Sequence, residues 1–481
     1  MFGRIRVGMV MWVTVKGDTR VGDGAWLQML ARAARGRETH LDLSAKLWAG
    51  RDVKFWVRAV VGVLLLAFGV QLARRAFNYW GWDFAPQYVA AWMLREGKNV
   101  YDFDVQHDGY MRHIGQVTTW AHFYPPSASV AALPATLVSY AVARDIWFVV
   151  TFGVMFWGVW HFMTVFIPRW DNSVKLLVLG LLASAACTRW SFKVAQPGPV
   201  VLGLFGVFLA ELKKGRSWTC VLCGALVVST KVTFGIPFFL VALALRRVRM
   251  VVIMLAFWGV LNVVGLYGMG GPKILADYKA NFAQFERPDQ LNYPDPRGWN
   301  SLARTDWPYV LNAIQPNFQR NTLIGYALTL LSTAWLAREA LRAKKRINED
   351  AILLAVAGVV APLSMLAVYH HHYDMSILLL PVIGYIGLRE FRGVRAVWWY
   401  VVPVTLYTCL YPYGKGANFL KAAFGANEVL VSKPLACVVC IVGLVAAFAV
   451  LHRMLQRTQV SSDSVESDDQ AADRLERGGV V

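Results

Sequence analysis

Long apolar runs constrain this chain more than any other feature. The runs at 55–73, 146–167 and 434–451 are each long enough to cross about 30 Å of hydrocarbon as an α-helix. Hydrophobic residues make up 57% of the 481 residues and charged residues only 16%, which excludes an ordinary soluble domain. We therefore expect an all-α polytopic membrane protein with about ten to twelve transmembrane helices.

The basic residues indicate the topology of the chain. The formal net charge is +19, and Lys and Arg cluster in short loops at 213–216, 246–249, 338–346 and 389–395. Such loops are typical of the cytoplasmic side of a membrane protein, and no nucleic-acid reader motif accompanies them. The sequence therefore predicts membrane lipids, and no nucleic acid, as partners.

Three regions follow from this topology. Residues 1–54 are predicted to be a basic cytoplasmic segment, 55–455 a transmembrane domain, and 456–481 a disordered cytoplasmic tail rich in Ser and Asp. The loops 74–122, 270–321 and 411–433 are then extracytoplasmic. Alternation of the spans also predicts that one short segment, best placed at 176–187, is re-entrant or half of a hairpin.

Lys231 lies in the middle of an apolar stretch, 217–245, whose two ends are both basic. This pattern predicts two half-spanning helices with Lys231 at their apex, lining a cavity. Its ammonium group needs an anionic partner, such as a lipid-linked phosphate. A structural lysine that snorkels to the interface is the alternative.

The same topology brings several polar groups to the outer face of the membrane. They are Asp83, Gln196, Lys231 and the cluster from His370 to Asp374. Ionisable groups near a bilayer are costly unless they are paired, hydrated or used, so their convergence indicates a site.

Asp83 is the candidate catalytic residue. A partly desolvated carboxylate can accept a proton from a sugar hydroxyl as that hydroxyl attacks. The alternative is a helix cap, because Pro86 suits the first turn of a helix starting near 85–87. Residues 87–95 are then an interfacial amphipathic helix anchored by Trp82, Tyr88 and Trp92.

The histidines are candidate binding residues. His371 and His372 suit hydrogen bonds to a phosphate or a sugar hydroxyl, while interfacial packing and metal binding are the alternatives. Consecutive histidines do not form the usual i, i+4 ligand pair, so no metal site is predicted. The Cys-x-x-Cys pairs at 220–223 and 437–440 lie in apolar runs and are interpreted as small apolar residues. No nucleotide-binding motif is present, and no cofactor is predicted.

The order of these motifs resembles the polytopic GT-C glycosyltransferases, and most closely glycosyltransferase family 87. The resemblance extends over about residues 56–385. The stretches that carry it are Asp83-Phe84, Ala90 to Gly97 with Val100-Tyr101-Asp102, Phe123-Tyr124-Pro125-Pro126 with Pro134, the Gln196 turn, Lys231-Val232-Thr233 with Pro237, Asn300-Ser301, and His371-His372 with Leu378 to Pro381.

The resemblance implies an inverting enzyme that uses no nucleotide sugar. It would take mannose or arabinofuranose from a polyprenyl-phosphate carrier outside a bacterial cytoplasmic membrane and place it on an envelope lipid or polysaccharide hydroxyl. Asp83 matches the family's catalytic base, with Asp102 as second candidate. The implied binding residues are Tyr124, Gln196, Lys231, His371, His372, Asn300 and Asp102. A transporter or flippase of lipid-linked sugars is the competing function, although no internal repeat favours it.

One motif departs from the family pattern. This chain reads Ala195-Gln196-Pro197-Gly198, where the family has Gly-Gln and a following Asn.

Overall fold

A computed structural model describes residues 53–77, 83–116, 121–284, 304–344, 347–368, 370–410 and 435–456. The chain divides into two compact units, residues 1–57 and 58–481, and Val53–Val57 is the described part of the first. The regular structure of the described residues is helical, with one isolated antiparallel bridge between Arg304 and His371. The α-helices are α1 (Val53–Phe77), α2 (Ala85–Arg95), α3 (Phe103–Ile114), α4 (Pro126–Ala132), α5 (Tyr140–Phe166), α6 (Asn172–Ser184), α7 (Ala186–Lys193), α8 (Gly198–Lys213), α9 (Ser217–Thr230), α10 (Val232–Ala244), α11 (Val248–Gly268), α12 (Ile274–Gln284), α13 (Trp307–Ile314), α14 (Phe318–Lys344), α15 (Glu349–Ala367), α16 (Leu379–Gly387), α17 (Arg395–Leu410) and α18 (Leu435–Gln456).

The helices confirm the predicted class of an all-α polytopic membrane protein. Among the described helices, five are long and apolar enough to cross a membrane, namely α1, α5, α11, α15 and α18, and the bent pair of α6 and α7 would make a sixth. Large apolar side chains such as Leu64, Val149 and Val260 remain exposed on these helices, as expected where lipid covers the surface. The total of about ten to twelve spans includes shorter segments and stays a prediction.

The core is built around α15. Every residue from Ala351 to Ala367 is buried, because α8, α10, α14 and α16 pack around this helix. A helix that is apolar on all sides suits such a position. The closest helix packing described is that of α5 against α8, where a Cβ atom on Gly158 or Gly203 would overlap the backbone of the other helix. Small residues allow helices in membranes to approach this closely.

Two helix pairs are broken where the sequence predicts interruptions. The pair of α6 and α7 bends by 55° at Ala185, within the stretch expected to be re-entrant or half of a hairpin. Helices α9 and α10 meet at Lys231, and a Cβ atom on Gly235 would lie 2.7 Å from Cβ of Val228. Residues seven positions apart along one helix are separated by about 10 Å, so the chain folds back on itself at Lys231.

The first predicted outer loop forms a helical layer over the bundle. Its helices α2 and α3 are joined by Glu96, which accepts hydrogen bonds of 3.0 Å from both Nη atoms of Arg112. Tyr88 is 2% exposed and its hydroxyl donates to the carbonyl of Val138, so Tyr88 anchors α2 to the protein instead of to a membrane surface, contrary to the prediction. The predicted cytoplasmic N-terminal segment up to residue 52, the outer loop 411–433 and the tail from residue 457 lie outside the described residues.

Candidate active site

Asp83 lies immediately before α2 but does not cap it. The N-cap position belongs to Phe84, whose ring stacks on that of Trp147 with a centroid separation of 5.6 Å, and no side chain caps the helix. The backbone N–H of Asp83 donates to the carbonyl of Val194 at 3.0 Å. Asp83 therefore does not act as the helix cap that was its alternative role. The half-buried carboxylate of Asp83 is available to other groups.

Gln196 is positioned by the turn that ends α7. The N–H of Ala195 donates to Phe192 and the N–H of Gln196 donates to Ser191, which together form a Schellman motif. Ala195 has φ of 58°, the left-handed conformation for which glycine is preferred. The turn buries Gln196, which is 2% exposed, and directs the Val194 carbonyl at Asp83.

Lys231 reaches the same place from the break between α9 and α10. Its Nζ donates to Oε1 of Gln196 at 3.4 Å and lies 4.7 Å from the centroid of the Phe234 ring. The Gln196 side chain also hydrogen-bonds to Asp83. Because an ionised carboxylate only accepts hydrogen bonds, the Gln196 amide nitrogen faces Asp83 while its oxygen faces Lys231.

Tyr124 completes the contacts of Asp83 from the segment before α4. Its hydroxyl donates to Oδ1 of Asp83 at 3.4 Å, which is a long hydrogen bond, and its side chain is 2% exposed. The hydroxyl of Tyr101 in turn donates to the Tyr124 carbonyl at 2.8 Å. Asp83, Gln196, Lys231 and Tyr124, four residues from separate parts of the sequence, thus form one cluster.

The histidine segment borders this cluster. Nδ1 of His370 and the backbone N–H of His371 contact Oδ2 of Asp374 at 3.2 and 3.1 Å. The His370 ring packs on the Phe234 ring at 5.5 Å, next to Lys231. His370 and Asp374 also line a small cavity of about 10 Å³, which is room for about one water molecule.

The electrostatic environment makes Asp83 a better base than an ordinary aspartate. Burial raises the pKa of Asp83 to about 6, and the positive charge of Lys231 and the hydrogen bond from Gln196 oppose that rise. The negative charge of Asp374 raises the pKa further, while the hydrogen bond from Tyr124 lowers it. A carboxylate with such a pKa is ionised at neutral pH and still has a useful proton affinity, as general-base catalysis requires.

Asp102, another predicted site residue, is not joined to this cluster. Asp102 is exposed and caps α3, because its Oδ1 accepts from the N–H groups of Asp104 and Val105. Asn300 and the side chain of His372 lie outside the described residues.

Sequence reasoning did not foresee two sets of contacts beside the site. Asp374 was noted beside the histidines without a role, although its i, i+4 spacing from His370 was visible. The backbone of Arg304 pairs with His371, and Nε of Arg304 donates to Oδ1 of Asp306 at 3.1 Å. This buried ion pair lies within the predicted outer loop 270–321, and no sequence signal linked it to the histidines.

The described residues contain no group of three His, Cys, Asp or Glu side chains close enough to hold a metal ion. The paired cysteines at 220, 223, 437 and 440 are buried, free thiols in helices. Asp83 and Lys231 give the described cluster a carboxylate that can accept a proton and a cation that can neutralise negative charge.

Fold and cluster together define a multi-pass membrane protein in which a carboxylate, an amide, an ammonium group and a tyrosine hydroxyl meet. The family model described as glycosyltransferase family 87 matches residues 122–368, just over half of the 481 residues. The chain belongs to glycosyltransferase family 87 and is a membrane glycosyltransferase, which transfers a sugar from a donor to an acceptor. Tyr124, Gln196 and Lys231 lie within the matched stretch, and Asp83 and His370 lie on either side of it. No curated protein and no solved structure matches the chain.

Proposed function

We propose that this glycosyltransferase moves a sugar, mannose or arabinofuranose, from a polyprenyl-phosphate carrier to a hydroxyl of an envelope lipid or polysaccharide, with inversion. It would act at the extracytoplasmic face of a bacterial cytoplasmic membrane. The observation that carries the proposal is the cluster in which Gln196 joins Asp83 to Lys231, a base beside a cation, in a membrane protein of this family.

Asp83 acts as the general base of this reaction. Its carboxylate takes the proton of the acceptor hydroxyl while the hydroxyl oxygen forms a bond to the anomeric carbon of the sugar. The bond between the anomeric carbon and the carrier phosphate breaks, and its electron pair leaves with the phosphate. The half-buried position of Asp83 and its raised pKa of about 6 support this role.

Lys231 neutralises the departing phosphate. A phosphate leaving group carries its own negative charge, so it needs a nearby cation more than it needs a proton. Lys231 is 8% exposed, and its ammonium is held by Gln196 near Asp83. His371, which follows the buried His370, is the second candidate for contact with the phosphate.

Reconstitution tests the donor and the base together. Wild-type protein in liposomes receives radiolabelled polyprenyl-phosphate mannose or arabinofuranose, or nucleotide sugars, together with envelope lipid acceptors. We expect product only from the polyprenyl-phosphate donors. Asp83→Asn should lower the rate by about 10²- to 10⁴-fold, the usual contribution of a general base.

Asp102→Asn is the matched control. It removes one carboxylate from the same loop, and it keeps the cap of α3 because Asn caps helices as well as Asp does. It should keep most of the wild-type rate. Undiminished transfer by Asp83→Asn would show that Asp83 is not the base, and a selective loss in Asp102→Asn would give that role to Asp102. Lipid scrambling without transfer by any variant would support the transporter instead.

A further inference from the structure

The site contains a second carboxylate, Asp374, that the reaction described above does not use. Asp374 is 2% exposed and is the third residue of the 3-10 helix His372–Leu378 that precedes α16. Its Oδ2 contacts Nδ1 of His370 and the N–H of His371. Because an ionised carboxylate cannot donate, Nδ1 of His370 carries the proton of this contact. Asp374 thus holds the histidine segment in a single orientation.

Asp374 lies close to Lys231, because the His370 ring that it contacts packs on the Phe234 ring and Nζ of Lys231 lies 4.7 Å from the centroid of the same ring. The single positive charge of Lys231 interacts with both carboxylates, and the two carboxylates repel each other. Among the described residues, the groups that act on Asp83 are Lys231, Asp374, Gln196 and Tyr124, and Lys231 is the positively charged one of these four. Asp83 therefore receives less than the full attraction of Lys231, because Asp374 shares it.

We propose that Asp374 is a positioning residue that orients His370 and His371 and, by its negative charge, keeps Asp83 basic enough to deprotonate the acceptor. This role rests on the proposed function. Without the charge of Asp374, Lys231 would stabilise the ionised form of Asp83 and weaken it as a base. Under the proposed function, the donor phosphate brings a further negative charge and also raises the proton affinity of Asp83.

Asp374→Asn removes the negative charge of this residue and keeps a side chain of nearly the same shape. The amide oxygen of Asn can still accept from His370 and from the N–H of His371, so the segment keeps its hydrogen bonds while it loses the charge. A residue that only supports the fold would lower activity or stability without moving the titration of Asp83.

Infrared difference spectroscopy of the purified protein measures that titration without requiring turnover. The carboxyl C=O band lost in Asp83→Asn identifies Asp83, and its intensity is followed against pH in wild type and in Asp374→Asn. We expect the midpoint to fall by about one pH unit in Asp374→Asn. Asp374→Glu, which restores the charge, should return it toward the wild-type value, and Asp102→Asn should leave it unchanged.

An unchanged midpoint in Asp374→Asn would overturn this role, and Asp374→Ser serves if the Asn variant does not give monodisperse protein. The same variants assayed with polyprenyl-phosphate donors should show a matching shift of the acidic limb of the rate profile. Because the infrared midpoint needs no activity, failure of the role of Asp374 is distinguishable from failure of the proposed glycosyl transfer.

Discussion

At the scale of the residue, the main feature of the site is that two carboxylates share the positive charge of one lysine. Lys231 contacts Gln196, and its charge acts on both Asp83 and Asp374. A partly buried carboxylate beside a shared cation can remain ionised and still be a usable base. The same cation is the group best placed to meet a departing phosphate.

Removal of the Lys231 charge should slow transfer strongly. Lys231→Met is expected to lower kcat/KM by about 10²-fold, roughly 2.7 kcal/mol of transition-state stabilisation, because one preorganised charged contact to the leaving group is lost. Steady-state kinetics with the polyprenyl-phosphate donor measures this change. Lys98→Met, which removes a half-exposed lysine paired with Glu96, is the control and should retain wild-type kinetics. Equal kinetics for Lys231→Met and wild type would exclude the leaving-group role.

The sequence pointed to single residues where their chemistry was locally unusual. Asp83 and Lys231 stood out because a charge next to, or inside, an apolar stretch is costly without a use. Asp374 received no role, and Arg304 was not noticed, because their importance comes from contacts with distant residues. A contact such as that between Arg304 and His371 depends on the folded chain and leaves no local pattern.

At the scale of the element, helix breaks position the functional groups. The fold-back at Lys231 was predictable, since a lysine in the middle of an apolar run between two basic ends cannot easily sit in a continuous span. The turn at Gln196 was predictable only in position. The turn is a Schellman motif in which Ala195 has the left-handed conformation that glycine usually adopts. Because no glycine marks this position, the sequence did not predict the geometry of the turn.

Ala195→Gly should leave the protein folded and at least as stable as wild type. Relief of the left-handed strain, roughly 1–2 kcal/mol for an L-residue, exceeds the added entropy of a glycine in the unfolded chain, about 0.4–1 kcal/mol. Ala195→Val should be clearly less stable, because a β-branched residue tolerates this conformation poorly. Thermal unfolding in detergent measures both variants, and a marked loss of stability in Ala195→Gly would contradict this explanation of the turn.

At the scale of the whole molecule, stability depends on helices that pack around α15 and on the close approach of α5 and α8. Composition alone predicted the polytopic class, because so much apolar surface requires a lipid environment. The pairing of helices was not predictable. Glycines such as Gly158 and Gly203 reveal their role only when two backbones are seen in contact.

Gly203→Ala should destabilise the molecule. The added methyl group would overlap the backbone of Val154, and forcing extra volume into a close contact typically costs about 1–3 kcal/mol. Gly153→Ala on α5 is the matched control, since a Cβ atom there meets nothing within 4 Å. The yield of monodisperse protein and the thermal midpoint in detergent measure the difference, and equal behaviour of the two variants would contradict the proposed packing of α5 on α8.

One measurement tests most directly whether Asp83 is the base. It is the initial rate of sugar transfer as a function of pH, for wild type and Asp83→Asn in the same liposomes. Because burial raises the pKa of Asp83 to about 6 and only the ionised form accepts a proton, the wild-type rate should fall as the pH drops through about 6. The residual rate of Asp83→Asn should lack this limb. A wild-type limb that persists unchanged in Asp83→Asn would show that another group deprotonates the acceptor.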